Sequence, residues 1–430
     1  MKIAVVGCGY VGLVSGACFA SLGNQVICVD IDEKKIASLK KGISPIYEPG
    51  LEELIRQNIR KGLISFTADL RTAARKSDVI FIAVGTPPRA NGEADLSFVE
   101  NVVRTIAKEL DGYKLIVEKS TVPVQTGEHI ARVLKASAKK GASFDVASNP
   151  EFLREGTAVR DFMNPDRVIL GVASKKAEKI LTDLYRPLKA PILITDLKSA
   201  EIIKHASNSY LAMKISFINA ISIVCEAAGA NVDQVATGMG LDKRIGKNFL
   251  NPGIGFGGFC FPKDLAAFIR ISEKLGYDFG LLKAVEEINE NQKKFFVKKI
   301  EEAVWNINSK TIGVLGLSFK PDTDDMRFAP SIDIIAMLQA QGARIKAFDP
   351  HAMKKAKESL KDIEYCKDSY SVCRGSDCLL ILTEWDEFKE IDLAKVKKLL
   401  KQPIVIDGRN VYDPGRMKEL GFQYHSIGRP

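Results

Sequence analysis

The sequence predicts an α/β protein with two doubly wound parallel sheets, joined by a helical middle section that contains a long bridging helix. Three observations predict it. Short apolar runs alternate with helical patterns up to about Pro191. Helical periodicity then runs almost without breakers over residues 196–229. After Thr311 the first plan returns, and Gly342-Ala-Arg-Ile-Lys-Ala-Phe-Asp349 repeats the pattern of Gly23-Asn-Gln-Val-Ile-Cys-Val-Asp30.

In chain order, the apolar run Lys2–Val6 ends in Gly7-Cys8-Gly9-Tyr10-Val11-Gly12. A helical stretch follows to Leu22, and a second apolar run, Gln25–Val29, ends in Asp30. Further strand-like runs at residues 79–84, 115–118, 144–147 and 168–172 extend this into one sheet. The middle section continues as helix over 263–276 and 281–307. A strand at Thr311–Leu315 then leads into Gly316, and a helix is expected over 331–341. Ser376-Asp377-Cys-Leu-Leu-Ile-Leu382 parallels Ser77-Asp78-Val-Ile-Phe-Ile-Ala83, so a second, smaller nucleotide-binding sheet is expected. The expected domains are residues 1–195, 196–308 and 309–430, since 430 residues exceed one ordinary core.

Composition excludes several classes. With 46% hydrophobic and 27% charged residues the chain can bury real cores and has little room for disorder. No apolar run is expected to span a bilayer, and the start MKIAVVG passes directly into a strand, so a cytoplasmic protein without a membrane partner is expected. The eight cysteines contain no C-x-x-C pair and are expected to be reduced and mostly buried. Four scattered histidines offer neither metal-ligand spacing nor a hydrolase triad, so no metal is expected. The net charge of +9 suits an anionic ligand, but the lysine pairs sit at helical spacing and no basic stripe carries interleaved aromatics. Nucleic acid is therefore not an expected partner.

Gly7, Gly9 and Gly12 have the spacing of a dinucleotide turn: a tight bend, backbone close to pyrophosphate, and close helix packing. The motif follows a strand, opens a helix, and is followed by an acidic residue at the end of the next strand. That context marks a Rossmann-like domain. Asp30 can accept hydrogen bonds from ribose hydroxyls and would repel a 2′-phosphate, so NAD is expected rather than NADP.

The richest local signal is Asn251-Pro-Gly-Ile-Gly-Phe-Gly-Gly-Phe-Cys260-Phe-Pro-Lys-Asp264. Its four glycines allow a close approach of backbone to another group, and Pro262, at an expected first helical position, places Cys260 just before a helix N-terminus. That position, beside Lys263, favours a nucleophilic thiolate. Asp264 is placed to orient or activate a water.

These segments carry a resemblance. GFGGFCFPKD, with GCGYVG, EKSTVPV (118–124), NPEFLREG (149–156) and KHASN (204–208), resembles the UDP-glucose/GDP-mannose dehydrogenase family, in order and from Met1 to about Asp413. The chain departs from the family at Phe259, where members usually have Ser, which bears on the hydrogen bonding around the thiol. The resemblance implies NAD contacts at Gly7, Gly9, Tyr10, Val11, Gly12, Asp30 and Lys35. It extends them to residues 84–88 with Thr86 and Pro87, then to Ser120, Thr121, Glu155, Lys263 and Arg327. It implies nucleotide-sugar contacts at Glu151, Phe152, Leu153, Arg154, Glu155, Lys204, Asn208, Phe249, Asn251, Gly253, Gly255, Phe256, Gly257, Phe319, Lys320 and Arg409. In the family an arginine matching Arg244 reaches the sugar nucleotide from a neighbouring subunit, which implies a homodimer through the middle section.

Local physics agrees with part of this set. Lys204 and Asn208 share a helix face, and Glu151 and Glu155 would do so if that stretch were helical. Carrying a primary alcohol to the carboxylate needs two hydride transfers with the aldehyde held between them, and a cysteine holds it. The expected catalytic residues are Cys260, Lys204, Asn208, Asp264, Glu151 and Thr121. Cys260 forms a thiohemiacetal and then a thioester, Lys204 and Asn208 handle the alkoxide, Asp264 and Glu151 activate water, and Thr121 helps hold it. UDP-glucose is the foremost expected substrate. GDP-mannose and UDP-N-acetylhexosamines stay open, as does a non-catalytic sensor of nucleotide sugars.

Overall fold

A computed structural model describes every residue except Pro88, Ala90, Asn91 and Gly92. The chain divides into two compact units, Met1–Ser207 with Ala266–Gly276, and Asn208–Leu265 with Tyr277–Pro430.

The first unit holds eight strands: β1 (Lys2–Val6), β2 (Gln25–Val29), β3 (Ile64–Thr67), β4 (Val79–Ile82), β5 (Tyr113–Glu118), β6 (Ser143–Ser148), β7 (Val168–Val172) and β8 (Ile192–Thr195). Their order is β3-β2-β1-β4-β5-β6-β7-β8. All neighbours are parallel except β6 and β7, which run antiparallel. Runs such as Val79-Ile-Phe-Ile82 are buried throughout, as strands covered on both faces must be. One face packs Leu13, Phe19, Phe81, Phe162 and Tyr185, with the Phe19 and Phe81 ring centroids 4.9 Å apart. The other face packs Ile80, Ile82, Val103, Ile106 and Ile130. Each such side chain contributes roughly 1.5–3 kcal/mol by burial. Chain order reverses between β1 and β4, so the turns after these two strands flank the crevice where open α/β sheets bind ligands.

The second unit repeats the plan with β9 (Thr311–Leu315), β10 (Arg344–Phe348), β11 (Ile363–Tyr365), β12 (Cys378–Ile381), β13 (Ile404–Asp407) and β14 (Gln423–Ser426), ordered β11-β10-β9-β12-β13-β14 and wholly parallel. The repeat seen in the sequence diverges in chemistry. Asp349, the counterpart of Asp30, is fully buried and accepts from the backbone amides of Leu317, Ser318, His351 and Ala352 and from the Trp385 indole. It holds the second turn together, and its acceptor capacity is taken up by the protein itself.

The bridging helix Leu197–Ala228 has 32 residues. Its most apolar 18-residue window has mean hydropathy 1.5, so by length and composition one helix among the described residues does reach a bilayer-spanning size, contrary to the sequence expectation. The burial pattern explains the composition. Glu201, Lys204, His205, Asn208, Lys214, Ser216, Asn219 and Ser222 are buried, whereas Tyr210, Phe217 and Val224 are exposed. The inward side is the polar one, the reverse of an ordinary surface helix.

Candidate functional site

In the first unit, Gly7 has φ +101°, and a Cβ there would lie 2.5 Å from the Ala83 carbonyl oxygen. A Cβ on Gly12 would lie 1.9 Å from the Gly7 oxygen, so neither position takes another residue without moving backbone. Gly9 faces open space and begins the helix Tyr10–Ser21, where no side chain among the described residues caps the N-terminus. The amides of that first turn are left for a phosphate.

Asp30, at the end of β2, accepts from Cys8 N at 2.9 Å, Asp32 N at 3.0 Å and Lys35 Nζ at 2.9 Å. Burial pushes its carboxyl up, but the two amides and the ammonium outweigh burial and hold it below the usual carboxylate range. It is ionised at neutral pH, which suits ribose hydroxyls and opposes a 2′-phosphate. The residues present therefore fit NAD. The ends of β4 and β5 are tied together beside this turn: Thr86 donates to the Thr121 carbonyl at 2.9 Å, and the Ser120 hydroxyl donates to the Val84 carbonyl at 2.8 Å. Of residues 84–88, Pro88 lies outside the described residues.

Residues 149–157 form an irregular loop ahead of the helix Ala158–Met163, so Glu151 and Glu155 do not share a helix face. Two features prevent a helix. Glu151 Oε2 accepts from Leu153 N at 2.7 Å, a local bond that competes with helix formation, and Gly156 takes φ +84°. The other oxygen of Glu151 pairs with Lys204 Nζ at 3.0 Å, with side chains 6% and 4% exposed. Phe152 lies under the Arg167 guanidinium, 3.7 Å from the ring centroid, and Arg154 is turned outward onto Asp161.

A residue the sequence reading passed over sits beside this pair. Lys119 is buried and donates to Asn149 Oδ1 at 3.0 Å and to its carbonyl at 3.2 Å. Burial pushes its ammonium down to about 8, against the pull of the Glu151 carboxylate and with the push of Lys204. Two buried carboxyls on the same unit are displaced upward by burial, Glu118 to about 8 and Glu201 to about 7. Lys119 and Glu118 stand inside the quoted EKSTVPV segment, but no local rule shows which of its residues turn inward.

In the second unit, Cys260 is the first residue of the helix Cys260–Lys274, so its thiol sits inside the first turn and Pro262 is the third helical residue. This is a shift of two positions from the expectation. Pro is tolerated anywhere in the first turn, because those amides have no intrahelical partner. Cys260 is half-buried, and the other seven cysteines are buried. Burial pushes the Cys18, Cys373 and Cys378 thiols up to about 12, which removes them as nucleophiles. One turn on, Asp264 accepts from Asn208 Nδ2 at 2.6 Å and pairs with Lys263 at 2.6 Å. Phe259, the departure from the family pattern, presents its ring to two cations, Arg327 at 4.3 Å and Lys263 at 5.4 Å from the centroid.

The glycine segment is held by buried amides that sequence reasoning missed. Asn219 Oδ1 accepts from Gly253 N at 2.9 Å, Gln292 donates to the Gly253 carbonyl at 2.8 Å, and Asn289 bonds both the amide and the carbonyl of Phe256. The available signal was a set of amide side chains on otherwise apolar helix faces. Gly257 packs so closely that a Cβ would meet the Phe328 carbonyl oxygen at 2.3 Å. Arg409 is brought against this segment: its Nε donates to the Leu382 carbonyl at 2.9 Å, an NH2 donates to the Phe319 carbonyl at 3.2 Å, and Glu384 pairs with it at 3.3 Å. Lys320 follows Phe319 in the same turn and is half-buried, as is Phe249, whose ring lies 6.2 Å from that of Phe261. Asn251 is exposed at the segment's start. Arg244 is not brought in. Its side chain is 89% exposed and forked onto Asp242.

Comparison with known proteins agrees with this geometry. Domains of the UDP-glucose/GDP-mannose dehydrogenase family match in order: the NAD binding domain over residues 1–189, the central domain over 198–291 and the UDP binding domain over 313–414. The chain is 53% identical to the UDP-glucose 6-dehydrogenase TuaD of Bacillus subtilis, covering 100% of this chain and 93% of that protein. It is 46% identical to a UDP-glucose 6-dehydrogenase of Rhizobium meliloti, covering 100% of both. Among solved structures, a UDP-glucose dehydrogenase from Pyrobaculum islandicum superposes with TM-score 0.93 at 38% identity, covering 100% of this chain and 98% of that one. A UDP-D-ManNAc dehydrogenase from Pyrococcus horikoshii follows with TM-score 0.87 at 28% identity, covering 100% and 99%. With a dinucleotide turn that fits NAD and a half-buried cysteine placed at a helix start, the chain belongs to the UDP-glucose/GDP-mannose dehydrogenase family and begins with that family's NAD-binding domain.

Proposed function

We propose that the chain is a UDP-glucose 6-dehydrogenase, oxidising the C6 alcohol of UDP-glucose to the carboxylate of UDP-glucuronate with two NAD per sugar. The observation that carries this reading is Cys260, half-buried at the start of its helix with Lys263 and Asp264 in the same turn and Asn208 bonded to Asp264. The choice of sugar rests on relatives named UDP-glucose 6-dehydrogenase at 43–53% identity, against 28% for the UDP-D-ManNAc enzyme.

NAD held by Gly7, Gly9, Tyr10, Val11, Gly12, Asp30 and Lys35, with Thr86, Pro87, Ser120, Glu155, Lys263 and Arg327 as further contacts, supplies the hydride acceptor for each two-electron step. The remaining work falls to side chains. Lys204, an ammonium paired with Glu151, stabilises the alkoxide as the alcohol proton passes to water, and Thr121 holds that water or the alcohol. The thiolate of Cys260 bonds to the aldehyde carbon, and Asn208 donates its second amide proton to the resulting oxyanion. After the second oxidation the acyl group is a thioester on Cys260. Water deprotonated by Asp264 and Glu151 adds to the acyl carbon, the C–S bond breaks, and carboxylate leaves with the thiolate restored. Arg409, Lys320 and Phe319 hold the nucleotide, Phe152, Leu153 and Arg154 line the sugar loop, and the segment Asn251, Gly253, Gly255, Phe256 and Gly257 brings backbone to the sugar, with Phe249 beside it.

Residues 1–195, 196–308 and 309–430 serve in this reading as cofactor, bridging and nucleotide-sugar domains. Two copies pair through the bridging helix, where Tyr210, Phe217 and Val224 stand seven residues apart and are 56%, 48% and 61% exposed. Arg244, left on the surface of its own copy, reaches the partner's substrate. The deciding experiment is a panel of nucleotide sugars with NADH counted per sugar consumed. Two NADH per UDP-glucose, and little turnover of GDP-mannose or UDP-N-acetylhexosamines, is the expected result. One NADH per sugar, or preference for another sugar, overturns the reading, and NADH formation from none of them makes the chain a non-catalytic sensor.

A further inference from the structure

Glu48 lies between the helices Glu33–Lys40 and Leu51–Arg60, in a segment to which neither the motifs nor the reaction assigns a role. Its side chain is buried at 6% exposure, a depth at which a carboxylate must be met by donors. Oε1 accepts from Ala158 N at 2.7 Å, and Oε2 accepts from Gly156 N at 2.7 Å and from the Tyr10 hydroxyl. The Gly156 amide is shared with the Tyr10 oxygen at 2.9 Å. Tyr10 opens the helix of the cofactor turn and is 146 residues away from Gly156 in the chain. Gly156 closes the loop that carries Glu151 and Glu155, and Ala158 opens the next helix. One buried carboxylate thus joins the turn that fits the dinucleotide phosphates to the far end of the loop read as the sugar loop.

We propose that Glu48 is a positioning residue that, through Tyr10, fixes the 149–157 loop to the cofactor turn, so that NAD at the turn orders the loop that meets the sugar. A dinucleotide at the N-terminus of Tyr10–Ser21 restrains Tyr10, the Tyr10 hydroxyl restrains Glu48 and Gly156, and the loop loses freedom before sugar arrives. This inference rests on the proposed roles of the turn and the loop.

The test is hydrogen exchange, read by mass spectrometry on peptides spanning residues 149–160 of the full chain, without and with NADH at concentrations that saturate each protein. NADH binding is measured separately by its fluorescence. In the native protein NADH is expected to slow exchange of this peptide at least threefold. In Tyr10→Phe, which keeps the ring and loses the hydroxyl, most of that NADH-dependent slowing is expected to vanish. Glu48→Gln, which sets an amide against two backbone donors, should behave the same way, and Tyr10→Phe decides alone if Glu48→Gln does not fold. A purely structural pin would speed exchange in both variants yet leave the NADH-dependent ratio at the native value, which overturns the proposal. So does NADH that binds the native protein without slowing the loop. Failure of NADH to bind at all shows instead in the fluorescence and overturns the cofactor reading, and this inference falls with it.

Discussion

Asn208 donates its side-chain amide to Oδ2 of Asp264 at 2.6 Å while Lys263 closes on Oδ1 at 2.6 Å, and Asp264 is 1% exposed. A carboxylate so flanked is fixed in direction, which is what activation of a hydrolytic water requires. Asp264→Asn should therefore still acylate Cys260 but release product about 100-fold or more slowly, within the usual range for a lost general base. Intact-mass measurement during turnover should show a covalent sugar acyl adduct accumulating in the variant and not in the native protein. Fast turnover without an adduct would remove Asp264 from the hydrolytic step.

Cys260 should be indispensable to the second oxidation. Cys260→Ser is expected to fold and bind both ligands, lose steady turnover by about three orders of magnitude or more, and build up a sugar ester, because a hydroxyl is a weaker nucleophile and an ester a poorer acyl donor. Cys260→Ala should form no adduct and make no carboxylate. Near-native carboxylate production by the alanine variant would replace the thioester with direct oxidation of a hydrated aldehyde.

Asp30 should set the choice between NAD and NADP. Asp30→Ala removes the carboxylate that opposes a 2′-phosphate and leaves Lys35 without its 2.9 Å partner, so kcat/KM for NAD should fall about tenfold while that for NADP rises. An unchanged ratio of the two would place ribose recognition elsewhere.

The dimer should complete the site. Mixing inactive Cys260→Ala with inactive Arg244→Ala should restore part of the activity, because a mixed dimer contains one site with both groups intact. Phe217→Glu, with its charge on the exposed stripe of the bridging helix, should shift the protein toward monomer in sedimentation and abolish turnover. A fully active Phe217→Glu monomer would refute the shared site.

The upward displacement of Glu118 and Glu201 has a consequence for stability. Both are protonated in the folded chain, to about 8 and about 7, at pH values where the unfolded chain has lost the proton near 4.5. The folded state therefore binds more protons than the unfolded between about pH 4.5 and 8, and linkage makes stability fall as pH rises through that window. Glu118→Gln removes the larger of the two ionisations and keeps an acceptor for Ser120 N. Its melting midpoint should exceed the native one by several degrees at pH 8.5, and the gain should vanish at pH 5. An equal gain at both values would assign the effect to packing.

The sequence by itself determined the alternation of two sheets and a helical bridge, the dinucleotide turn with Asp30, and the one cysteine of eight set in a glycine-rich segment beside a helix start. Each of these is encoded locally, by a period of two or 3.6 residues or by glycine and proline at fixed offsets, and so needs no knowledge of distant partners. Tertiary structure decided the rest. It made Glu151 the partner of Lys204 from a loop rather than a helix, and turned the polar side of Leu197–Ala228 inward. It buried Asp349 fully in a structural task where Asp30, at the same place in the repeat, stays half-buried and paired with Lys35. It also enlisted Lys119, Asn219, Asn289, Gln292 and Glu48, whose side chains act across 30 to 110 residues of chain in the bonds that define them. A buried polar group takes its meaning from the donor or acceptor that removes its desolvation cost, and that partner is known only when the chain has folded.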